Sequence, residues 1–205
     1  ANAVLSVTEP MSCGPGGDLF ALVWWEKDGK LFGLDASGRS PYDWNLRDAR
    51  ALGLKQIPLY GPLSWSVPGC LSGWEALSRR FGRLGFDKIL APALHYARAG
   101  FPVSPVIAGY WKNIDTRAYP TLAGTFVPGG QPPGFGEIFR NPDIADFFEI
   151  VARQGPRAFY QGVIAERIVR FSRARGGRFS RRDFHDHTAE WVEPVCSSYR
   201  GYEIW

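Results

Sequence analysis

No stretch of this sequence approaches the roughly 20 consecutive apolar residues that a membrane-spanning helix needs. The longest apolar run, Leu19–Trp25, has the length of a strand. Cysteine is scarce: Cys13, Cys70 and Cys196 are odd in number, far apart and never in a CxxC pair, which argues against a disulfide framework or a thiolate zinc site. There are only three histidines. His185-Asp186-His187 offers two candidate metal ligands, and His95 alone is left to supply a third. Exposed polar residues in a turn before Trp191 are therefore expected there, and no metal or cofactor is assigned. Gly-Lys-Ser/Thr is absent, and the glycine-rich loop Gly14-Pro15-Gly16-Gly17 leads into a strand, so no helix N-terminus is expected to await a phosphate. Gly-x-Ser-x-Gly is absent too, which leaves a Ser-His-Asp triad built from Ser64 or Ser66 without a motif. The sequence opens without a methionine or a signal-peptide pattern, as a processed product would, and it assigns no compartment.

What is present describes a globular α/β (α+β) protein. The 205 residues, 45% apolar and 21% charged, suffice for one substantial core and predict a single domain over residues 1–205. The net charge is +4, with arginines gathered in residues 167–182. No nucleic-acid motif accompanies them, so they are read as the solvated face of a helix and its C-terminal turn, and no nucleic-acid partner is expected. The run Leu19–Trp25 predicts a strand buried on both faces. Asp28-Gly29 predicts a two-residue turn, and residues 31–34 the return strand. Cys70, Trp74, Leu77 and Phe81 recur at helical spacing before Gly82. A further helix is expected over residues 89–99, with Pro92 in its first turn or at a kink.

Residues 118–139, rich in glycine and proline, lack periodicity and predict a long loop of unassigned role. Asn141-Pro142 then opens a helix with Ile144, Phe147, Phe148 and Val151 on its apolar face. Ile164, Ile168 and Phe171 mark another, closed by Gly176-Gly177. The tail alternates as two short strands around Arg200-Gly201, expected to share a sheet with the first hairpin.

One loop invites a chemical role. In Asp35-Ala36-Ser37-Gly38-Arg39-Ser40-Pro41 an arginine follows a predicted strand in a glycine-containing loop, where a guanidinium could hold a carboxylate through two parallel hydrogen bonds. That phrase belongs to an ordered set. It is preceded by Thr8-Glu9-Pro10-Met11-Ser12-Cys13-Gly14-Pro15-Gly16-Gly17 and followed by Ser66-Val67-Pro68-Gly69, Phe81-Gly82-Arg83-Leu84 and Leu90-Ala91-Pro92-Ala93. Gly100-Phe101-Pro102-Val103-Ser104, Gly155-Pro156-Arg157-Ala158-Phe159-Tyr160-Gln161-Gly162 and Tyr199-Arg200-Gly201-Tyr202 complete it. Together these phrases resemble the large subunit of the gamma-glutamyltranspeptidase family.

The resemblance implies a portion of the four-layer αββα sandwich of the N-terminal-nucleophile hydrolases. It also implies a precursor that cleaves itself, so that an N-terminal Thr of the small subunit becomes the nucleophile and uses its own α-amino group as base. That Thr is expected beyond Trp205, so this chain alone is expected to be inactive, to contribute no catalytic residue, and to partner the small subunit of the same precursor. The substrate class implied is a gamma-glutamyl compound of the glutathione type. Better-known members place an arginine two residues after the aspartate of the Leu-Asp phrase; here Ser37 stands there and Arg39 is the nearest arginine. Arg39 and Ser37 are therefore the expected substrate-binding residues. A cephalosporin or glutaryl acylase-like amidohydrolase is the alternative. A truncated, catalytically dead homologue acting as a binding module is another.

Overall fold

The structure, a computed structural model, describes residues 1–116 and 119–205. In chain order the elements are α1 (Asn2–Thr8), β1 (Leu19–Trp25), β2 (Lys30–Ala36), α2 (Leu46–Ala51), α3 (Cys70–Phe81), α4 (Phe86–Ala99), β3 (Phe101–Pro102), α5 (Pro105–Trp111), α6 (Pro120–Phe126), β4 (Ile138–Phe139), α7 (Pro142–Gln154), α8 (Arg157–Gln161), α9 (Val163–Ala174), α10 (Arg181–His185), β5 (Glu190–Val192), β6 (Ser197–Tyr199) and β7 (Tyr202–Ile204). They divide into two compact units. One comprises Ala1–Pro15 and Arg83–Gly155, the other Gly16–Gly82 and Pro156–Trp205.

The first unit is mostly helical. Helix α4 packs against α7 and α1, and Leu90, Ala93 and Ala97 of α4 are buried together with Ala145, Phe148 and Val151 of α7 and Val7 of α1. The α4 helix begins three residues before the expected start and carries Pro92 in its interior, where the missing N–H forfeits one hydrogen bond of the helix. The cap of α7 is as expected: Asn141 Oδ1 accepts from the Ile144 N–H at 3.1 Å and Pro142 fills the first helical position. The stretch 118–139 is not the featureless loop that its composition suggested. Ala118 lies outside the described residues, but the rest contains α6, a 3₁₀ turn over Pro128–Gly130 and β4. Tertiary packing organises it, because Trp111 donates from Nε1 to the Phe126 carbonyl at 2.7 Å and meets the Phe139 ring at 4.6 Å.

The second unit sets helices against an antiparallel sheet in the order β1-β2-β5. The first hairpin forms as expected, but its turn is longer than Asp28-Gly29 alone. Trp25 pairs with Lys30, Glu26–Asp28 make a 3₁₀ turn, and Gly29 closes it with φ +56°. Helix α3 covers one sheet face: Gly73 lies against Leu19 and Ala36, and the Phe81 ring sits 4.8 Å from Trp25 and 5.6 Å from Trp191. The other face corrects the expectation of a strand buried on both sides. Along β1 exposure alternates, and Phe20, Leu22 and Trp24 are 68%, 53% and 58% exposed. The tail divides as well. Strand β5 joins the hairpin sheet, while β6 and β7 pair separately around Arg200-Gly201 and are exposed throughout. On α9 the buried line runs through Ile164, Ala165, Val169 and Ser172, which leaves Phe171 41% exposed. The architecture is mixed helix and strand, and this unit lays an α layer on a β layer.

Candidate functional site

The loop after β2 is fixed by close backbone approach. A Cβ on Gly38 would overlap the Val67 carbonyl, and one on Gly69 the Ala36 carbonyl, so both positions require glycine. The Val67 N–H donates to the Arg39 carbonyl at 3.0 Å, and the Gly69 and Cys70 N–H groups both reach the Gly17 carbonyl. The Gly38 N–H donates to Asp18 Oδ1 at 2.8 Å. Three separated glycine-bearing phrases thus cross at one point, which sets the position from which Arg39 projects.

Arg39 stands at a cleft of about 320 Å³ whose lining includes Tyr42, Trp44, Val67, Asp186 and His187. Its guanidinium is engaged by Glu190 of β5, with Nη2 2.5 Å from Oε1, and the two side chains are 76% and 57% exposed. Ser37 is placed differently. Its hydroxyl and its backbone N–H both bond the Asp35 carboxylate, the latter at 2.7 Å, and hold that group below the ordinary aspartate range. Ser37 is not among the residues lining the cleft. Of the two expected substrate residues, Arg39 reaches the cleft and Ser37 shapes the turn that leads to it.

The cleft wall is built by cross-links from α10. The buried Asp183 caps its own helix through Ser180, accepting from the Ser180 N–H at 2.6 Å, and also accepts from the Tyr42 N–H at 2.7 Å. The Tyr42 hydroxyl donates to Asp186 Oδ2 at 3.2 Å, and Arg182 lies over the Tyr42 ring at 4.5 Å. Hydrogen bonds from His185 and then from Arg182 keep Asp186 below the usual carboxylate range.

The histidine pair separates. His185 is exposed and bonded to its neighbour Asp186, whereas His187 is buried, contrary to the expected exposed turn. His187 Nε2 lies 2.9 Å from Ser72 Oγ, and the Ser72 hydroxyl donates to the Gly69 carbonyl at 2.7 Å. With that hydroxyl proton on the Gly69 carbonyl, Ser72 Oγ accepts from the Nε2–H tautomer of His187. Tyr160 stacks on the imidazole at 5.3 Å, donates to the Pro68 carbonyl at 2.8 Å and accepts from the Ser72 N–H at 3.0 Å. Burial lowers the His187 pKa, with Arg39 acting in the same direction against Asp18 and Glu190. Burial also pushes the Tyr160 phenol up to about 12.

Sequence reasoning had not picked out Ser72 and Tyr160. Their one signal was position, since Tyr160 sits in the phrase Gly155–Gly162 and Ser72 three residues after Gly69. The Ser64 hydroxyl donates to the Gly61 carbonyl at 2.9 Å. Among the described residues no cluster of three or more His, Cys, Asp or Glu could hold a metal ion.

A family model for gamma-glutamyltranspeptidase matches residues 1–205. The chain belongs to the gamma-glutamyltranspeptidase family. It is 37% identical over 207 residues to the glutathione hydrolase-like YwrD proenzyme of Bacillus subtilis (strain 168), covering all of this chain and 39% of that protein. Among solved structures it resembles a cephalosporin acylase from Bacillus halodurans, with TM-score 0.91 and 37% identity over 98% of this chain and 39% of that one. It also resembles the gamma-glutamyltranspeptidase of Helicobacter pylori, with TM-score 0.86 and 26% identity over 99% of this chain and 60% of that one. The chain thus spans less than two thirds of the length of each of these family members.

Proposed function

We propose that this chain is the large-subunit portion of an enzyme that transfers the acyl group of an amide to water or to an amine. Gamma-glutamyl compounds of the glutathione type are the favoured donors. The nucleophile, an N-terminal Thr, comes from the small subunit of the same precursor. The observation that carries this reading is the family match over the whole of residues 1–205. The open apolar face of β1 supports it, since a sheet that exposes Phe20, Leu22 and Trp24 in a row is suited to being covered by further protein.

Arg39 is the substrate-facing group in this reading. An exposed ion pair contributes only about 0–1 kcal/mol, so a substrate carboxylate can displace Glu190 at small cost. Ser37 then acts on the substrate through the turn it forms with Asp35. The test is hydrolysis of gamma-glutamyl anilide by the complete precursor and by its Arg39→Ala variant. Loss of a carboxylate clamp raises KM about tenfold or more at little changed kcat, the signature of lost uniform binding. Unchanged KM and kcat remove Arg39 from the site. Failure of the precursor to cleave any acyl amide overturns the reading.

The acylase alternative has a specific observation in its favour. Ser37 stands where the better-known transpeptidases carry the arginine, and the cleft beside Arg39 has apolar walls in Tyr42, Trp44 and Val67. Cleavage of glutaryl or cephalosporin amides in preference to gamma-glutamyl anilide decides for it.

A further inference from the structure

Between Trp44 and Pro62 the chain leaves the turn that joins α9 to α10 and then comes back to it. At the start the Arg178 guanidinium lies 6.0 Å from the centre of the Trp44 ring. At the return Pro62 sits so close to Gly177 that a Cβ added there would stand 3.2 Å from it. Just beyond, Trp65 stacks on Phe171 and Phe179 at 6.0 and 6.4 Å. The apolar ground beneath the segment is thus already filled from within the unit. The chain turns after α2 at Gly53, with φ +70°, and again at Gly61, with φ +97°. The Ser64 N–H and hydroxyl close that second turn by donating to the Gly61 carbonyl at 3.2 and 2.9 Å.

What lies between the two anchors projects into solvent. Leu46, Leu52, Ile57, Leu59 and Tyr60 are all exposed, Leu59 by 86% and Tyr60 by 76%. So many large apolar side chains between residues 46 and 60 are more than the single surface residues that need no explanation. Cations stand among them. Arg47 and Arg50 of α2 and Lys55 beyond it are exposed, as are Arg175 and Arg178 at the base, against the carboxylates of Asp43 and Asp48. Arg175 lies over the Phe171 ring at 5.0 Å, which continues the same mixture of cation and apolar surface onto α9.

We propose that this segment seats the protein on the surface of an anionic lipid bilayer. Leu59 and Tyr60 reach the boundary between headgroups and acyl chains, and the arginines and Lys55 lie at the level of the lipid phosphates. Apolar side chains that project singly between cations suit a fluid bilayer, which closes around each of them, whereas a protein partner needs a shaped pocket for each. The excess of cations over carboxylates selects anionic lipid over neutral. A nucleic acid would use the same cations, but leucine and isoleucine offer no ring on which a base can stack. The attachment is peripheral, since among the described residues no helix is long and apolar enough to cross a membrane.

The test is flotation of the complete protein with vesicles of phosphatidylcholine alone and with vesicles containing about 30% phosphatidylglycerol. The proposal expects binding to the anionic vesicles, about tenfold or more weaker on the neutral ones, that falls as salt is raised from about 0.1 to about 0.5 M. Arg50→Glu combined with Lys55→Glu should weaken binding to anionic vesicles about tenfold or more. Leu46→Ser combined with Leu59→Ser should weaken it by a similar factor at unchanged charge. Because these side chains are exposed, both double variants should melt with the parent. Absence of binding at about 1 mM anionic lipid, equal binding to neutral vesicles, or affinity unchanged in either double variant overturns the proposal. Tighter binding to a single-stranded oligonucleotide than to anionic vesicles at the same salt also overturns it, in favour of a nucleic-acid surface. A lowered melting temperature in the double serine variant overturns it as well, because the segment is then packed inside the complete protein.

Discussion

At the scale of single residues the decisive groups are those whose hydrogen-bonding capacity is fully committed. Tyr160 joins two phrases that lie far apart in the chain by donating to the Pro68 carbonyl and accepting from the Ser72 N–H, and both of its partners are buried. Tyr160→Phe removes one hydroxyl and leaves a donor and an acceptor unpaired, at a cost of about 1–3 kcal/mol. Urea denaturation should show a lower midpoint with unchanged slope. His187 occupies the complementary position, its Nε2–H directed to Ser72. None of this could be read from composition, because a serine, a tyrosine and a histidine become a network only when α3, α8 and the segment after α10 meet. The glycines were more legible. Gly38 and Gly69 stood in recognisable phrases, and the structure supplies their reason in the overlapping carbonyls of Val67 and Ala36.

At the scale of elements, periodicity and caps located most helices of more than ten residues. Asn141-Pro142 is the clearest instance, its side chain accepting from Ile144 as the pattern requires. Asn141→Ala should cost about 1 kcal/mol, read from the thermal midpoint of the chain. The misreadings share a cause. A continuous apolar run such as Leu19–Trp25 does not reveal which face is covered in a given assembly, and β1 has α3 on one side and solvent on the other. The replacements Phe20→Thr and Leu22→Thr should therefore change unfolding free energy by no more than about 0.5 kcal/mol. They should also lower binding of a hydrophobic dye to the chain. A large loss of stability in the isolated chain would show instead that this face is internally packed. Elements α6 and β4 escaped the sequence because their order depends on Trp111 and Phe139 rather than on local propensity.

At the scale of the whole molecule, the buried titratable groups predict a stability profile that declines at both ends of pH. The folded pKa of His187 lies below its ordinary value of 6.5 because burial disfavours the imidazolium. The unfolded chain then binds the extra proton first. This contribution is complete above about 6.5 and is lost as pH falls from there toward the depressed folded value. Tyr160 acts oppositely: its phenol is raised from 10.0 to about 12, so its contribution is complete below 10 and is lost as pH rises toward 12. Denaturant midpoints measured across pH should fall on both limbs. His187→Phe should flatten the acid limb and Tyr160→Phe the alkaline one.

The sequence by itself determined the family, the hairpin, the principal helices and the loop that carries Arg39, because these rest on local spacing, caps and phrases that survive in order along the chain. Tertiary structure alone decided that Arg39 meets Glu190, that Ser37 turns back on Asp35, that His187 is buried against Ser72 and Tyr160, and that Arg79, Arg157 and Glu75 share one cleft. Apart from Ser37 with Asp35, and Glu75 with Arg79 on the one helix α3, those pairings join residues distant in the chain. Their partners are selected by packing and burial, which no local pattern encodes.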